Sequence, residues 1–396
     1  MRLVLVSRRF WPLMGGAEAA VANLAAEFRR QGARPTVVTA RWNPRWPAEI
    51  VHRGAPVVRL PNPATRFWGT LRYMAALRRY LRERQGEIDA VYVSMLKHDA
   101  YVALGALRGT GVPVVLRAEG SGATGDFHWQ QTANFGRIIR RRCRHADAFV
   151  AISRAIREDF LAAGFPAERI YEIPNGVSIP PPRTSARRLA ARTALAEANP
   201  ELQLDAAAPL VVYTGRLHEG KGLYDLLEAW KMVVPSHPQG RLWLVGEGPQ
   251  GAALCEAIGA RGLAASIRLP GAFDTVEDVL EAADVFVLPS YAEGMSNSLL
   301  EAMAAGLPVI ASDIPANAAV VEHERHGLLV PPRDPPRLAA ALRRIVERPD
   351  AAAAQFGAAA RRRVEEEFSL ERVARRHLEL FTEAIPRRRS RCGVNA

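Results

Sequence analysis

The chain has 396 residues, 48% of them apolar and 24% charged, and a formal net charge of +12 at pH 7. This length predicts two domains with proper hydrophobic cores, and the apolar content is ordinary for a globular protein. No stretch of about 18 uncharged apolar residues occurs, which argues against a transmembrane helix. Cys143, Cys255 and Cys392 are far apart and form no Cys-x-x-Cys pair, so neither a disulfide framework nor a zinc site is expected.

Apolar strands alternate with helical patterns along both halves of the chain, which predicts two doubly wound parallel sheets. The first six strands are expected near residues 2–6, 35–40, 57–60, 89–93, 113–117 and 147–152, and the second six near 209–214, 241–245, 266–269, 284–288, 308–311 and 327–330. The change of domain is placed at the proline run 180–182, which reads as a linker. The predicted organisation is an N-terminal domain (1–178), a linker region with the first helix of the second domain (179–205), a C-terminal domain (206–365), and a final helix with a basic tail (366–396).

A glycine turn follows the first predicted strand. The sequence FWPLMGGAE lies between this strand and a helix expected from about Ala17 to Arg30. Gly15 and Gly16 would let a ligand approach the backbone closely. The spacing G-x-G-x-x-G is absent, so a dinucleotide fingerprint is not indicated. A tight turn between strand and helix would explain the two glycines equally well.

A second glycine turn, GRLHEGKG, follows an apolar strand and precedes an amphipathic helix predicted over Leu223–Val233. Arg216 and Lys221 flank this turn, and both are suited to phosphate oxygens. Lysine is scarce here: the chain has only Lys97, Lys221 and Lys231 against 50 arginines. The turn is not a P-loop, because Gly222 replaces the hydroxyl residue that would hold Mg²⁺.

The segment LPSYAEGMSNSLLEAMAAGLPVIAS is the most informative part of the chain. A buried strand ends near Ser290, a polar turn carries Glu293, and a helix with Ser296 or Asn297 as its N-cap carries Glu301. A strand followed by a turn and a helix N-terminus forms an anion site, because free N–H groups and the positive dipole end point into one crevice. Glu293 is placed for hydroxyls near the anion and Glu301 for hydroxyls farther along. A phosphate with sugars on both sides would use every part of this arrangement.

Taken together, these motifs resemble the retaining glycosyltransferases of family four, which have the two-domain B-type fold. The matching stretches are FWPLMGGAE, ISRAI, IPNGV, GRLHEGKG, VGEGP and EGMSNSLLEAMAAGLPVIAS, and their order and spacing fit along nearly the whole chain. The resemblance implies two Rossmann-like domains facing a central cleft. It also implies that the N-terminal domain is the acceptor side and that the final helix returns to pack on that domain.

The resemblance assigns roles to individual residues. Arg216 and Lys221, on the turn that begins at Gly215, would hold the diphosphate of a nucleotide-sugar donor, and Gly16 would approach it from the other side. Glu293 would address the donor sugar and Glu301 the ribose hydroxyls. The residues between them would contact the sugar and the phosphates: Gly294, Met295, Ser296, Asn297, Ser298 and Leu299. In this interpretation Arg216, Lys221 and Glu293 carry catalysis.

One position departs from the family pattern. The family often has a histidine in the loop after an N-domain strand, and here the corresponding loop after residues 114–117 carries Glu119. A carboxylate at this place would accept hydrogen bonds from sugar hydroxyls and repel a phosphate, which bears on the identity of the donor sugar. His98, His128 and His145 are near in sequence, but the sequence alone does not place them in a site.

Positive charge is concentrated at the two ends of the chain. Residues 1–178 contain 27 basic and 14 acidic side chains, whereas residues 179–360 contain 16 and 21. A predicted helix carries Arg137, Arg140, Arg141 and Arg144. The charge is either the background of an arginine-rich composition or a docking surface for an anionic membrane that holds a lipid-linked acceptor. Nucleic-acid binding is not expected, because no motif of a known reader is present.

These observations predict a retaining glycosyltransferase that moves a sugar from a nucleotide diphosphate sugar to an acceptor hydroxyl, in glycan, glycolipid or polysaccharide synthesis. No metal cofactor is expected, because the cations Arg216 and Lys221 can take its place. The acceptor would be a saccharide or a lipid-linked saccharide. The alternatives are a nucleotide-sugar epimerase or a phosphorylase on the same fold, and a non-catalytic nucleotide- or membrane-binding module. The N-terminus enters a charged strand directly, so no signal peptide is expected and the expected location is cytoplasmic, with peripheral attachment to the inner membrane face as an option.

Overall fold

The structure is a computed structural model that describes residues 1–63, 66–122 and 125–393. The chain divides into two compact units. Unit 1 comprises Met1–Gly176 and Leu370–Ala396, and unit 2 comprises Val177–Ser369. None of the helices in the described part of the chain is both long and apolar enough to span a bilayer.

Unit 1 is built on an eight-stranded sheet with the strand order β3-β4-β2-β1-β5-β6-β7-β8. The strands are β1 (Arg2–Val6), β2 (Arg34–Arg41), β3 (Glu49–His52), β4 (Ala55–Pro61), β5 (Ala90–Ser94), β6 (Val114–Ala118), β7 (Ala148–Ala151) and β8 (Ile170–Glu172). All pairs are parallel except β3 with β4. The chain leaves β1 towards β2 on one side and returns as β5 on the other, so the carboxyl ends of β1 and β5 border a switch point.

Two of these strands were not predicted from the sequence. β3 pairs antiparallel with β4 at the edge of the sheet, and its four residues are exposed or half-buried. β8 has only three residues and forms the opposite edge. Neither segment presents the continuous apolar run that marks a buried parallel strand, so only the tertiary pairing reveals them.

The helices of unit 1 surround this sheet. They are α1 (Gly16–Arg30), α2 (Arg66–Glu83), α3 (His98–Ala106), α4 (Asp126–Thr132), α5 (Gly136–Cys143), α6 (Arg154–Ala162) and the C-terminal α16 (Leu370–Cys392). α16 packs on α1, where Phe28 and Phe381 meet edge to face with ring centroids 6.0 Å apart. The sequence predicted a final helix followed by a basic tail, whereas the helix continues through Pro386 to Cys392 and includes most of that tail. Arg388 anchors this last part by donating to the carbonyl oxygens of Leu107 and Thr110.

Unit 2 contains a six-stranded, fully parallel sheet with the order β11-β10-β9-β12-β13-β14. Its strands are β9 (Leu210–Thr214), β10 (Arg241–Val245), β11 (Ile267–Gly271), β12 (Val285–Leu288), β13 (Val309–Ser312) and β14 (Gly327–Val330). All six lie at the positions predicted from their apolar runs. The order reverses between β9 and β12, which is where ligands of open α/β sheets bind.

Ten helical segments accompany the second sheet. Seven are separate α-helices: α7 (Ser185–Ala198), α8 (Leu223–Val233), α9 (Gly251–Ala260), α10 (Glu277–Ala282), α11 (Asn297–Ala304), α12 (Pro315–Ala318) and α13 (Pro335–Val346). The eighth is a continuous run of α14 (Pro349–Ala352), π-helical Ala353–Gly357, α15 (Ala358–Arg363) and π-helical Val364–Phe368. The other two are short 3-10 helices at Pro200–Leu202 and Glu219–Lys221. The core between helices and sheet holds Trp230 and Trp243, both fully buried. The two predicted doubly wound parallel sheets are therefore confirmed, with β3 as the antiparallel exception.

Candidate functional site

Two loops of unit 2 meet at the carboxyl ends of the neighbouring strands β9 and β12. One loop follows β9 and leads into α8, and the other follows β12 and leads into α11. The Tyr291 N–H donates to the carbonyl oxygen of Gly220 at 2.8 Å, which ties the loops together. The two motifs found in the sequence therefore lie side by side at the switch point of this sheet.

The first turn of the β9 loop depends on Gly215. Its φ is +151°, and a Cβ there would lie 2.8 Å from the phenol oxygen of Tyr213. That phenol donates to the carbonyl oxygen of Arg216 at 3.0 Å, so it fixes the start of the loop. Burial raises the pKa of Tyr213, and the negative charge of Glu293 raises it further, which keeps the phenol protonated as a donor.

The second turn of the same loop requires Gly222. A short 3-10 helix over Glu219–Lys221 is capped by His218, whose Nδ1 accepts from the Gly220 N–H. Gly222 then adopts a φ of +63°, and a Cβ there would lie 2.1 Å from the carbonyl oxygen of Pro289. Glycine is thus needed both for the left-handed backbone and for the close approach of the two loops.

Lys221 and Glu293 form an ion pair across the two loops. The Lys221 Nζ donates to Glu293 Oε1 at 2.6 Å, and the two side chains are 25% and 10% exposed. The sequence placed both residues in one site but did not predict that they pair with each other. Such a partly buried pair holds both side chains in place. The ammonium group has further N–H donors, which it can offer to a ligand while it stays bonded to the carboxylate.

Arg216 lies on the opposite flank of the same turn. Its side chain is exposed, and none of the ion pairs formed among the described residues involves it. A guanidinium on the rim of this loop presents several donors to solvent and is suited to the oxygens of a phosphate group. The turn therefore offers one fixed cation and one exposed cation.

The N-terminus of α11 forms the other wall of this site. Ser296 is the N-cap, and its Oγ accepts from the Leu299 N–H at 3.3 Å and lies 3.0 Å from the Ser298 Oγ. Ser296 and Leu299 are buried, whereas Gly294, Met295, Asn297, Ser298 and Glu301 are half-buried. Ser298 and Glu301 are three residues apart and share one face of the helix.

Two buried hydroxyl groups at the same strand ends find no hydrogen-bond partner among the described residues. They are the Thr214 Oγ1 at the end of β9 and the Ser290 Oγ just beyond β12. Buried polar atoms without partners are uncommon, and one explanation for them is a bound ligand or water that satisfies them. Sequence reasoning did not single them out, although a hydroxyl residue that ends an apolar strand next to a glycine turn is a usable signal.

Unit 1 holds the two remaining predicted residues at the carboxyl edge of its own sheet. Gly16 is the first residue of α1, and Gly15 before it is the N-cap. Glu18 in the first turn is buried, which raises the pKa of its carboxyl group, and the charge of Glu119 raises it further. The glycine turn follows β1 and the loop with Glu119 follows β6, so both lie at the carboxyl edge of this sheet.

Glu119 is held by a buried polar network that the sequence analysis missed. The Arg117 Nη2 donates to Glu119 Oε2 at 3.0 Å and to Asn175 Oδ1 at 2.6 Å, and the Ser94 Oγ donates to Glu119 Oε1 at 2.7 Å. Arg117 is 1% exposed. The signal was an arginine inside the apolar strand Val114–Ala118, because a buried guanidinium requires a carboxylate. The network fixes the carboxylate of Glu119 in one orientation.

The three histidines near this region have different environments. His98 begins α3 and packs edge to face against Trp129, with ring centroids 5.2 Å apart. His128 and His145 are exposed. A fourth, His377 of α16, is buried against Tyr92, and burial lowers its pKa to about 3. None of the described residues forms a cluster of histidine, cysteine and acidic side chains suited to a metal ion.

Two family models match separate parts of the chain. The family model described as "Glycosyltransferase Family 4" matches residues 14–179, and that described as "Glycosyl transferases group 1" matches residues 208–348. Alpha-maltose-1-phosphate synthase of Mycolicibacterium smegmatis is 28% identical over 413 residues, covering 96% of this chain and 99% of the relative. The exopolysaccharide phosphotransferase of Streptomyces coelicolor is 34% identical over 45% of this chain but only 19% of its own length. The lipopolysaccharide core glycosyltransferase LpsD of Rhizobium meliloti is 33% identical over 50% of this chain and 56% of its own length.

Solved structures share the fold. Sucrose-phosphate synthase of Thermosynechococcus elongatus superimposes with a TM-score of 0.80 at 24% identity, covering 96% of this chain and 98% of that one. HepE of Anabaena, solved in complex with UDP and glucose, gives 0.78 at 22% identity, covering 97% and 100%. The two matched family models and this shared fold show that the chain belongs to the family-four glycosyltransferases with the B-type fold.

Proposed function

We propose that the protein transfers a sugar from a nucleotide diphosphate sugar to the hydroxyl group of a saccharide acceptor, with retention of configuration at the anomeric carbon. The observation that carries this proposal is the site of unit 2, in which two glycine turns, the Lys221–Glu293 pair at 2.6 Å and the capped N-terminus of α11 converge at one switch point. Each part suits a diphosphate that carries a sugar at each end.

The proposed chemistry is mainly electrostatic. The bond between the anomeric carbon and the diphosphate oxygen breaks, and negative charge grows on that oxygen. Arg216, Lys221 and the N–H groups at the start of α11 stabilise this charge. The acceptor oxygen bonds to the anomeric carbon on the same face of the sugar, and its proton passes to the departing phosphate oxygen. No pair of acid and base carboxylates is needed, because the leaving group is already a phosphate.

The remaining donor contacts follow from the positions of the side chains. Glu293 lies beside Lys221 and would accept hydrogen bonds from hydroxyls of the transferred sugar, whereas Glu301, one turn into α11, would bind the ribose. Gly215, Gly294, Met295, Ser296, Asn297, Ser298 and Leu299 would line the phosphates and the sugar. In unit 1, Gly16 would give backbone access to the donor, and the fixed carboxylate of Glu119 would accept from sugar hydroxyls.

We propose further that the reaction needs no metal ion, since Arg216 and Lys221 supply the positive charge. Addition of a chelator should then leave turnover unchanged. The HepE structures contain UDP or UDP-glucose, which makes UDP-sugars the first donors to test.

The decisive experiment is a thermal-shift screen of nucleotide sugars, followed by product analysis with the donor that binds. A donor at 100 times its dissociation constant should add about 2.7 kcal/mol to the apparent free energy of unfolding. The anomeric configuration of the product, read by NMR, tests retention. Conversion of the donor without any acceptor would instead indicate an epimerase. Binding without turnover on any acceptor would favour a non-catalytic module.

An anionic membrane surface is the partner we propose for a lipid-linked acceptor, on the cytoplasmic side. The exposed side of α5 carries Arg137 and Arg141, with Ile138 between them 54% exposed and Phe135 just before the helix 69% exposed. Basic side chains around exposed apolar ones are typical of helices that lie in the membrane interface.

The arginines of α5 and of its C-cap differ in their surroundings. Arg140 is half-buried, and Arg144 packs against Phe165 and donates to the carbonyl oxygen of Ala163, so Arg137 and Arg141 are the better candidates. Co-sedimentation with anionic and neutral vesicles tests this surface. A combined change of Phe135 and Ile138 to Ser should abolish the binding to anionic vesicles, and equal binding would refute it.

A further inference from the structure

Tryptophan is distributed unevenly between the two units. The chain has 7 tryptophans, and the two in unit 2, Trp230 and Trp243, are fully buried in its core. The other five all follow carboxyl ends of strands in unit 1, namely Trp11 after β1, Trp42 and Trp46 after β2, Trp68 after β4 and Trp129 after β6. Trp11, Trp42 and Trp68 are 41%, 39% and 71% exposed. The carboxyl edge of this sheet therefore carries five indole rings, and three of them are too exposed to contribute mainly to the core.

Arg8 lies on this edge of the sheet, just beyond β1. Its guanidinium is 5.6 Å from the ring of Trp42 and 5.2 Å from that of Tyr73. The Trp42 Nε1 donates to the carbonyl oxygen of Arg8 at 2.9 Å, and the Arg8 Nη2 donates to Thr70 Oγ1 at 2.8 Å. These contacts hold the indole and the cation in a fixed relation, with part of the indole left to solvent.

A second pairing of an indole ring with a cation lies beyond the next strand, β5. Lys97 lies 5.6 Å from the centroid of the Trp129 ring, and His98 packs on the same indole. The ring of Tyr73, which lies next to Arg8, connects the two parts: its hydroxyl donates to Asp99 Oδ2 at 3.4 Å, and Asp99 follows His98 directly in α3. Met95, between β5 and this cluster, has a φ of +71°, a strained conformation for its residue type that is concentrated at functional sites.

We call the surface formed by Arg8, Trp42, Lys97, His98 and Trp129 the patch. Its two cations are not neutralised by ion pairs. Among the described residues, neither Arg8 nor Lys97 lies within ion-pair distance of a carboxylate. Asp99 and Asp126 are buried near these cations, at 4% and 3% exposure, and offset part of their charge. Arg8 and Lys97 are only half-buried, so the positive groups are the ones nearer to solvent. Among the described residues, one Asp99 oxygen and the Arg8 Nε have no hydrogen-bond partner, which leaves hydrogen-bonding capacity for a ligand.

Aromatic faces and cations together define a ligand chemistry. The electron-rich face of an indole attracts the C–H faces of a sugar ring, whereas an ammonium or guanidinium group attracts carboxylates and phosphates. Resting on the proposed transfer to a saccharide, we infer that the acceptor is an acidic saccharide, which bears carboxylate or phosphate groups and is bound in unit 1 by Arg8, Trp42, Lys97, His98 and Trp129. This patch is separate from the nucleotide site of unit 2 in its residues and in its chemistry.

Calorimetric titration with saccharides of matched length tests this inference. The probes are trigalacturonate, maltotriose that carries a phosphate group, and neutral maltotriose. Because a hydrogen bond to a charged group contributes about 1.5–3 kcal/mol, at least one acidic trisaccharide should bind about tenfold more tightly than neutral maltotriose at low salt. The tighter of the two acidic probes then identifies the acidic group.

Two matched pairs of variants locate the site. Lys97→Met should remove most of the preference for acidic saccharides, whereas Lys231→Met, at an exposed position on α8, should bind like wild type. Trp42→Leu should weaken binding of all three saccharides about fivefold. Trp11 lies on the same edge with similar exposure but stacks on His52, so Trp11→Leu should leave saccharide binding unchanged.

Several results would overturn the inference. These are equal binding of the neutral and acidic probes, wild-type behaviour of Lys97→Met, or tighter binding of a thymidine trinucleotide than of either acidic saccharide. Titration of the same samples with UDP, GDP and ADP separates this inference from the proposed function. Nucleotide binding without saccharide binding would reject the acceptor class alone, because the donor site lies in unit 2.

Discussion

The ion pair between Lys221 and Glu293 allows a prediction in which stability and turnover respond differently. Lys221→Met keeps the apolar stem of the side chain but removes its charge. Glu293, whose side chain is 10% exposed, then loses its partner while remaining largely buried. Breaking a buried pair costs several kcal/mol, and the 25% exposure of Lys221 reduces this to about 1–3 kcal/mol. In a domain of this size, each kcal/mol lowers the Tm by roughly 2–4 °C.

The reverse change should cost less. In Glu293→Gln the ammonium group of Lys221 keeps access to water, so the expected destabilisation is smaller than in Lys221→Met. The double variant should recover about 1–2 kcal/mol relative to the sum of the single changes, since the two side chains are in contact. Thermal and denaturant unfolding of the three variants and of wild type measures this cycle.

Turnover should follow a different pattern. Loss of one group that stabilises developing charge lowers kcat by about two to three orders of magnitude, or about 2.7–4 kcal/mol. Lys221→Met should show this loss even in conditions where it is fully folded, and Arg216→Ala should show a similar one. Lys231→Met, which changes the other lysine of unit 2, is the control and should retain wild-type turnover. Wild-type rates in Lys221→Met, or a larger stability loss in Glu293→Gln than in Lys221→Met, would refute the reasoning.

Three further predictions concern single positions. Glu301→Ala should weaken binding of the free nucleoside diphosphate, whereas Glu293→Ala should leave that binding nearly intact and impair sugar transfer; calorimetry that gives the opposite ranking would reverse the two roles. Gly222→Ala should destabilise unit 2 and impair nucleotide binding, because its Cβ would lie 2.1 Å from a backbone oxygen at a φ of +63°, whereas Gly262→Ala, at φ +69° with no atom within 4 Å, should cost only the backbone strain of about 1–2 kcal/mol. His377 has a pKa of about 3 in the folded state, below its value near 6.5 in the unfolded chain, so the unfolded state binds the proton first as the pH falls. The free energy of unfolding should therefore decrease between about pH 6.5 and pH 3, by up to about 1.4 kcal/mol per pH unit. His377→Gln should flatten this part of the pH profile, and an unchanged profile would contradict the assignment.

The sequence alone predicted the parallel, doubly wound character of both sheets and every strand except the edge strands β3 and β8. Short continuous apolar runs bounded by turns, such as Val285–Leu288, are typical of parallel strands covered on both faces, and the glycine turns after them place polar residues at one edge. The amphipathic helix predicted over Leu223–Val233 is found with the same bounds, and Ser296 is the N-cap of α11. Local periodicity and capping chemistry carry this information, and tertiary contacts do not alter it.

Only the tertiary structure decided which polar side chains meet. Lys221 and Glu293 are 72 residues apart, and their pairing depends on the adjacency of β9 and β12. Arg117 donates a hydrogen bond to Asn175, 58 residues away in sequence, and Arg8 donates one to Thr70, 62 residues away. A hydrogen bond requires its atoms to be within about 3 Å of each other, and no local pattern encodes such distances between remote segments. The sequence therefore determined most of the elements and the strand ends at which we propose the site, whereas the fold determined which charges are paired and which tryptophans lie beside Arg8 and Lys97.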